Sequence, residues 1–442
     1  MDLEALNEKT MTAVKKLGVD DAVVLSAAGK ERMIRFANNS VTVVKHVEET
    51  ELEVYMAKDR RRAIAATSNL EEASIQKFVS DLFRSLQGLP RGEYVPLPKN
   101  PDTFGPSRSL DRKLEDVGES LPELTRRAID ASLEAGGKRS AGVIDASKTT
   151  VAILTSAGTK GIDSSSTIDL NIRSFGENES SGHGLSCSST LSGFDPEAAG
   201  RTAGEHAKMM EAASEADAGQ YQVLLSPTVA SNLVGGVVSA ASAFSVDAGI
   251  SYLAEKLGKK VAASSFNLTD RGVIEGGLGG RGFDDEGIPT KATPIVESGV
   301  LKSYLHNLTT SAKWKTETTG NAGLVTPRPW NIEIGAGDGA YDEMVKEMRR
   351  GIILTSNWYT RYKNFRTGEF STVPRDGAYL VEAGEVKRPL KGMRVSDDLQ
   401  RMLSSVQMLS KKRDWIEWWE VHTPTLCPWI LVDGMRITRA YD

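Results

Sequence analysis

The widest break in the mixing of charged and apolar positions lies between Asp217 and Asp247, where the chain carries neither a charged side chain nor a histidine. Most residues there are small or apolar, with Pro227-Thr-Val-Ala-Ser-Asn-Leu-Val-Gly-Gly-Val-Val-Ser-Ala240 at the centre. Two physical situations produce such a run. A bilayer span needs about 20 consecutive apolar residues, but Pro227, Asn232 and repeated serines interrupt this one. Neither flank has an aromatic belt or a one-sided excess of Lys and Arg. A helix apolar on all sides is otherwise one that its neighbours cover completely. Pro227 in the first turn, with Ser226 ahead of it as a cap, predicts a buried core helix that starts there.

Two blocks before this helix repeat one pattern. Leu3, Leu6, Met11, Val14 and Leu17 recur near one helical face over 3–17. Strands are predicted over 21–26, 33–36, 40–45 and 51–58, with Asn38-Asn39 as a turn. The alternation in Glu51-Leu-Glu-Val-Tyr-Met56 belongs to a sheet with one wet face. A helix over 71–87 closes the block at the stop signals Gly88 and Pro90. Prolines between Pro90 and Pro106 mark 91–110 as a linker. The second block, 111–218, has a helix over 121–133 ended by Gly136-Gly137, strands over 141–144, 149–155 and 167–172, and a helix over 196–213. The third, 219–442, follows its buried helix with short strands broken by glycine, at 299–305, 331–334, 351–355 and 377–384. The predicted fold is α+β: two helix-plus-antiparallel-sheet units over 1–90 and 111–218, then a β-rich barrel or sandwich that holds the buried helix.

Composition narrows the function classes. A net charge of −5 over 442 residues and a pI near 5.8, with no nucleic-acid motif, argue against nucleic acid as a partner. The two cysteines, Cys187 and Cys427, form no CxxC pair, so neither a zinc cluster nor a disulfide framework is signalled. The polar start, Met1-Asp-Leu-Glu-Ala-Leu-Asn-Glu-Lys9, reads as an amphipathic helix rather than a signal peptide, and a cytoplasmic location is expected. All seven tryptophans fall in the third block. They fill its core or, for Trp415, Trp418 and Trp419 in their charged surroundings, serve a subunit contact.

Several short patterns imitate catalytic motifs. Gly277-Leu-Gly-Gly-Arg-Gly282 satisfies GxGxxG, yet it closes no βαβ unit and runs into Asp284-Asp-Glu286, which would repel a phosphate. A glycine loop that lets another backbone approach is the expectation there. The three carboxylates at the Gly287-Ile-Pro289 turn are expected to be solvated. The serine clusters 163–167 and 186–190 lack a nucleophile elbow. His183 and Cys187 share a strand face but stand too far apart for proton exchange, so a buried thiol is expected.

From Gly282-Phe-Asp-Asp-Glu-Gly-Ile-Pro-Thr-Lys-Ala-Thr-Pro-Ile-Val-Glu-Ser-Gly-Val-Leu-Lys-Ser-Tyr-Leu305 on to Thr318-Thr-Gly-Asn-Ala322, the chain resembles the hallmark segment of the TldD/PmbA family. Arg35-Phe-Ala-Asn-Asn-Ser40, Thr367-Gly-Glu-Phe-Ser371, Gly377 to Gly384 and Pro428 to Ile437 agree with it, in order along the chain. The family, once called modulators of DNA gyrase, is a two-subunit cytoplasmic metallopeptidase in which TldD-type chains carry HExxxH and TldE or PmbA-type chains do not. That motif needs a helix on which two His and a Glu converge on one cation and its water. Laid on this chain through Pro227, it puts Gly235 and Ala240 at the His positions and Gly236 at the Glu. None of the three can bind a metal or move a proton. No two of the five histidines are closer in sequence than His183 and His206, and Cys427 does not match the cysteine of the metal-bearing subunit.

The resemblance therefore implies a non-catalytic TldE/PmbA-type subunit without a metal of its own. It implies a zinc-bearing TldD-type partner and unfolded peptides as substrate, with Gly282, Asp284, Asp285, Glu286, Tyr304, Gly320 and Asn321 as candidate groove or motif residues. The edge of 299–305 is expected to accept a peptide as an added strand. A homomeric peptide-binding or scaffold protein, dimeric on its own, is the alternative from another class. A metallopeptidase with a rebuilt metal site is the third.

Overall fold

In the computed structural model, which describes residues 1–99, 102–107 and 110–439, Asp2 accepts the Ala5 amide at 3.1 Å and starts helix α1 (Leu3–Lys15). Leu3, Leu6, Met11 and Val14 form its buried stripe. The four strands expected next are two long ones, β1 (Asp21–Ala37) and β2 (Ser40–Lys58), followed by β3 (Arg61–Thr67). Their middle, around Lys30 and Glu48, is too polar to signal strand, yet the ladder runs on from Asp21 opposite Ala57 to Ala37 opposite Ser40. Asn38 and Asn39, both at positive φ, turn the chain between them. Helix α2 (Glu72–Gln87) packs Ile75, Val79, Leu82 and Leu86 with α1 onto Val24, Leu52, Val54 and Met56.

After β4 (Thr103–Phe104) and the short α3 (Arg112–Glu115), the second block supplies α4 (Leu121–Glu134), β5 (Arg139–Thr155), β6 (Lys160–Phe175), β7 (Ser181–Ser188) and α5 (Pro196–Met209). Residues 100–101 and 108–109 of the expected linker lie outside the described residues. The two units do not make separate sheets. β1 pairs with β5 from Val23 opposite Thr155 to Phe36 opposite Gly142, giving one sheet in the order β3-β2-β1-β5-β6-β4, with β7 on β6. The helix expected to reach 213 ends at Met209, and a 3-10 turn takes up 210–212. Close packing of α5 on α4 depends on Gly200 and Gly204, where a Cβ would run into the carbonyl oxygens of Ala128 and Ser132.

The C-terminal part is a second, larger sheet. Its spine is the strand Val421–Arg439, which pairs with β9 (Gly219–Leu225), Val406–Trp418, Met393–Asp398 and Asn331–Ile334; a two-residue β8 (Ser214–Glu215) joins the far edge. Helix α6 (Pro227–Ala240) is the uncharged segment. Ser226 caps it by accepting the Val229 amide at 3.3 Å. Val229, Ala230, Leu233, Val234, Val237 and Val238 are buried in one core with Leu253, Phe266, Leu305, Phe370 and Ile430. Among the described residues no helix is long and apolar enough to cross a membrane.

The expected open strand at 299–305 is corrected: only Val300–Leu301 is strand, and Leu301, Tyr304 and Leu305 are buried. The Leu301 amide bonds to Lys259 and that of Lys302 to Ile295, so little main chain is left for a peptide. The tryptophans divide as well. Trp358 and Trp418 are buried, whereas Trp419 is 58% exposed.

One row of the N-terminal sheet carries an electrostatic cost. Asp145 and Asp169 face each other across β5 and β6. Burial, then the Asp169 and Glu31 carboxylates, pushes Asp145 up to about 7 against a partial counterweight from Lys45. Burial, with Glu417 and Glu31, pushes Asp169 up to about 7. A carboxyl held above its unfolded value stabilises the fold fully below that value, and the benefit is lost as pH rises through the folded pKa. Between pH 4 and pH 7 the chain therefore loses stability at this pair. Asp169→Asn is expected to raise the melting temperature at pH 8, by the equivalent of about 1 kcal/mol for so half-buried a site, and to change little at pH 4. Thermal melts of both proteins at the two pH values check this.

Candidate functional site

Because α6 is covered on most sides, the exception is informative. Ser231, Asn232, Gly235, Gly236 and Ser239 face a cavity of about 430 Å³. Its other walls are Thr360, Arg361 and Tyr362 on the strand Asn357–Asn364, the turn at Trp419 and Glu420, and Val421, His422, Thr423 and Thr425 at the start of the spine strand.

A polar network holds the helix to these walls. Asn232 donates to the Glu420 carbonyl at 2.7 Å and accepts from Asn357 at 2.8 Å and from the Thr360 hydroxyl at 2.5 Å. Thr360 and Asn357 both bond to Thr372, at 2.8 and 3.0 Å. The Glu420 carboxylate accepts the Tyr359 amide at 3.1 Å, which orders the turn. Burial pushes the Tyr362 phenol up to about 12, so it stays a neutral donor.

The two adjacent glycines sit in opposite surroundings. A Cβ on Gly235 would meet nothing within 4 Å, whereas one on Gly236 would collide with the Tyr362 hydroxyl and ring. Ala240, the third motif position, is buried and does not line the cavity. The helix thus offers a cation no donor where the metal-binding pattern would place one. Among the described residues no three His, Cys, Asp or Glu side chains gather in a way that could hold a metal. His422 is exposed at the cavity wall with Glu420 as its acidic neighbour, and burial pushes the Cys427 thiol up to about 12. These residues do not fit a catalytic zinc.

The hallmark segment has another role. The carboxylates expected to be solvated are buried: Asp284 is 0% exposed and accepts the amides of Glu286, Ile288 and Ala322 at 2.9, 2.9 and 3.0 Å. Asp285 pairs with Arg281 and, at 3.1 Å, with Arg328. Glu286 accepts the Leu308 amide at 2.8 Å. Burial raises both Asp284 and Glu286, and Asp284 raises Glu286 further. Three successive carboxylates can be buried because backbone amides and guanidinium groups replace their water.

The Gly282 amide bonds to Asp163 at 2.9 Å, tying this loop to β6. Gly320, at φ +69°, passes close to the Pro289 carbonyl, and Asn321 donates to Asp270 at 2.5 Å and to Arg328 at 2.9 Å. Gly282 through Glu286, Gly320 and Asn321 are brought together here. Tyr304 stands elsewhere, its hydroxyl on the Leu253 carbonyl at 2.7 Å. None of them lines the cavity. In the glycine loop, a Cβ on Gly280 would run into the Gly272 carbonyl, which is the close backbone approach expected.

Cys187 donates to the Trp415 carbonyl at 2.8 Å, and burial holds its thiol well above the usual range. His183 instead stands 3.0 Å from Ser356 and 3.0 Å from Asn171. The row looks like a nucleophile relay, but Ser356 and His183 are buried, and burial pushes the imidazole down to about 4. It ties β6 and β7 to the C-terminal sheet. Sequence reasoning missed Thr360, Tyr362 and His422 as wall residues, since they carry no motif; Gly235 and Gly236 at the motif positions and the crowding of Trp418, Trp419 and Glu420 were the signals near the cavity.

Domain models of one family cover most of the chain: the PmbA/TldA metallopeptidase central domain matches 107–211 and the C-terminal domain 218–439. A metalloprotease of Methanocaldococcus jannaschii is 34% identical over 203 residues, 44% of this chain and 44% of that protein. Metalloprotease PmbA of Escherichia coli O157:H7 is 28% identical over 186 residues, 42% of this chain and 39% of that one. These matches span less than half the length of either relative. TldE from Thermococcus kodakarensis has the same fold, with a TM-score of 0.86 over 98% of this chain and 100% of that one at 17% identity. A candidate modulator of a DNA gyrase from Thermotoga maritima follows it over 99% and 100%, with a TM-score of 0.84 at 22% identity.

The paired glycines give a direct test. Gly235→Ala is expected to stabilise the chain by about 0.5–1 kcal/mol through helix propensity alone. Gly236→Ala is expected to destabilise it by about 1–3 kcal/mol, and Tyr362→Phe should recover part of that loss. Urea unfolding of the three variants and the Gly236→Ala/Tyr362→Phe double variant reads all four outcomes.

Proposed function

Since the chain belongs to the PmbA/TldD metallopeptidase family, we propose that it is the non-catalytic, TldE/PmbA-type subunit of a heteromeric peptidase that acts on unfolded peptides. The observation that carries this reading is the helix face of Gly235 and Gly236. It opens on a formed cavity yet presents only hydrogen where a metal-binding helix presents imidazole and carboxylate. The zinc and its water then belong to a TldD-type partner, and this chain contributes walls.

The walls suit an extended peptide of varied sequence. Thr423 and His422 provide polar groups for main-chain atoms, while Trp419 and Tyr362 offer flat surfaces that accept many side chains. Such a lining excludes a folded substrate by size. The gyrase connection in the name of one structural neighbour is then indirect, since a chain with a net charge of −5 offers DNA no overall attraction. Cytoplasmic work beside the partner is part of the same proposal.

The purified chain, with zinc added, is expected not to digest casein. Adding a TldD-type partner from the same cell should start digestion, and Tyr362→Ala or Thr423→Val in this chain should raise KM several-fold with a smaller change in kcat. Cleavage by the chain alone, with stoichiometric zinc bound, would overturn the subunit reading in favour of a rebuilt metal site. Failure to join or alter the partner would leave a homomeric binding protein instead.

A further inference from the structure

β2 is covered by β3 only over Leu52–Lys58. From Ser40 to Glu51 its inner side bonds to β1, and its outer side meets no other strand among the described residues. All of this stretch is exposed except half-buried Val47 and Thr50, and Val41, Val43 and Val44 are 47%, 43% and 70% exposed. The β1–β2 register shifts once, at Thr42, and is unbroken from Val43 to Ala57, so no bulge twists the edge away between Val43 and Glu51. No proline interrupts it. An edge this long with exposed valines is a template for another strand.

We propose that this edge pairs antiparallel with the same edge of a second copy of the chain, Val47 facing Val47. Two physical restrictions select the register. In a strand the main-chain groups of alternate residues point outward, so two equivalent edges can bond only if facing positions share parity. Among registers that obey this, centring on Val47 sets Lys45 of one copy opposite Glu49 of the other and His46 opposite Glu48. The two-fold axis makes each pair twice. Centring on Lys45, Glu48 or Glu49 puts like charges face to face, centring on Thr50 does so with Glu49 and Glu51, and centring on Val43, Val44 or His46 brings no opposite charges together.

The charges are available for this. Lys45 touches half-buried Glu31 at 3.5 Å, Glu48 touches Lys30 at 2.9 Å and His46 of its own chain at 3.4 Å, and Glu49 has no ion pair among the described residues. Association would therefore extend two existing rows of alternating charge across the seam and give Glu49 its partner. Overlap stops at Val43 and Glu51 because β3 begins beside Leu52. The pairing involves no cavity residue, so it stands or falls separately from the casein assay.

Sedimentation velocity of the full chain over a range of concentrations tests it. A dimer is expected for the unaltered chain. Lys45→Glu and Glu49→Lys should each raise its dissociation constant about tenfold or more, since each brings two like-charge pairs together. The double variant Lys45→Glu/Glu49→Lys, in which the charges are exchanged, should restore the original value. Both positions are exposed, and circular dichroism confirms that each variant is folded. A chain that stays monomeric at its highest soluble concentration overturns the proposal. So does a dimer indifferent to the single reversals, or one that the double variant fails to restore.

Discussion

A helix with no charged side chain has nowhere to go but under cover, and the C-terminal half of this protein is arranged around that requirement. α6 has apolar residues on nearly every side, and the strands β9, Val421–Arg439 and Asn357–Asn364 close over it. Where small residues thin the helix the cover parts at Gly235 and Ser239, and a polar cavity opens beside the Tyr362 ring that packs on Gly236. The position of the cavity thus follows from side-chain size along the helix. Asn232 secures the rim, since its amide spans helix, turn and strand through three hydrogen bonds.

The segment by which the family is most easily identified holds the molecule together. Asp284, Asp285 and Glu286 are satisfied by backbone amides and two arginines, and Asp163 reaches across to Gly282. Buried carboxylates with complete hydrogen bonding specify one loop conformation, because any alternative leaves a charge stranded. Strong motif character here reflects a demand of folding. The cavity walls, by contrast, are threonine, tyrosine and a histidine with no fixed spacing.

That contrast explains what was legible in the residue pattern. The helices at 3–15, 72–87, 121–134 and 227–240 announced themselves through stripes, caps and stop signals, and the absence of metal donors could be read from three positions. The long strands were visible only in pieces, because their middles are polar and half-exposed, so that ladder hydrogen bonds rather than apolar alternation sustain them. Fusion of the two N-terminal units depends on β1 meeting β5, a pairing of distant segments that local patterning does not encode. The buried state of Asp284 was hidden for a similar reason: its partner amide at Ala322 lies far along the chain and becomes a neighbour only in the folded state.

The long ladder through β2, β1, β5 and β6, shifted in register only near Arg35, has a mechanical consequence. A sheet bonded edge to edge over that length resists shear between its strands, so the N-terminal half must travel as a single plank. Breathing that widened the cavity mouth would have to be accommodated at the seams, where Asp163 grips Gly282 and His183 meets Ser356. The seam, which also buries Val23 and Ile153 against Phe283 and Leu324, is where such a movement would be taken up, rather than the boundary between the two tandem units.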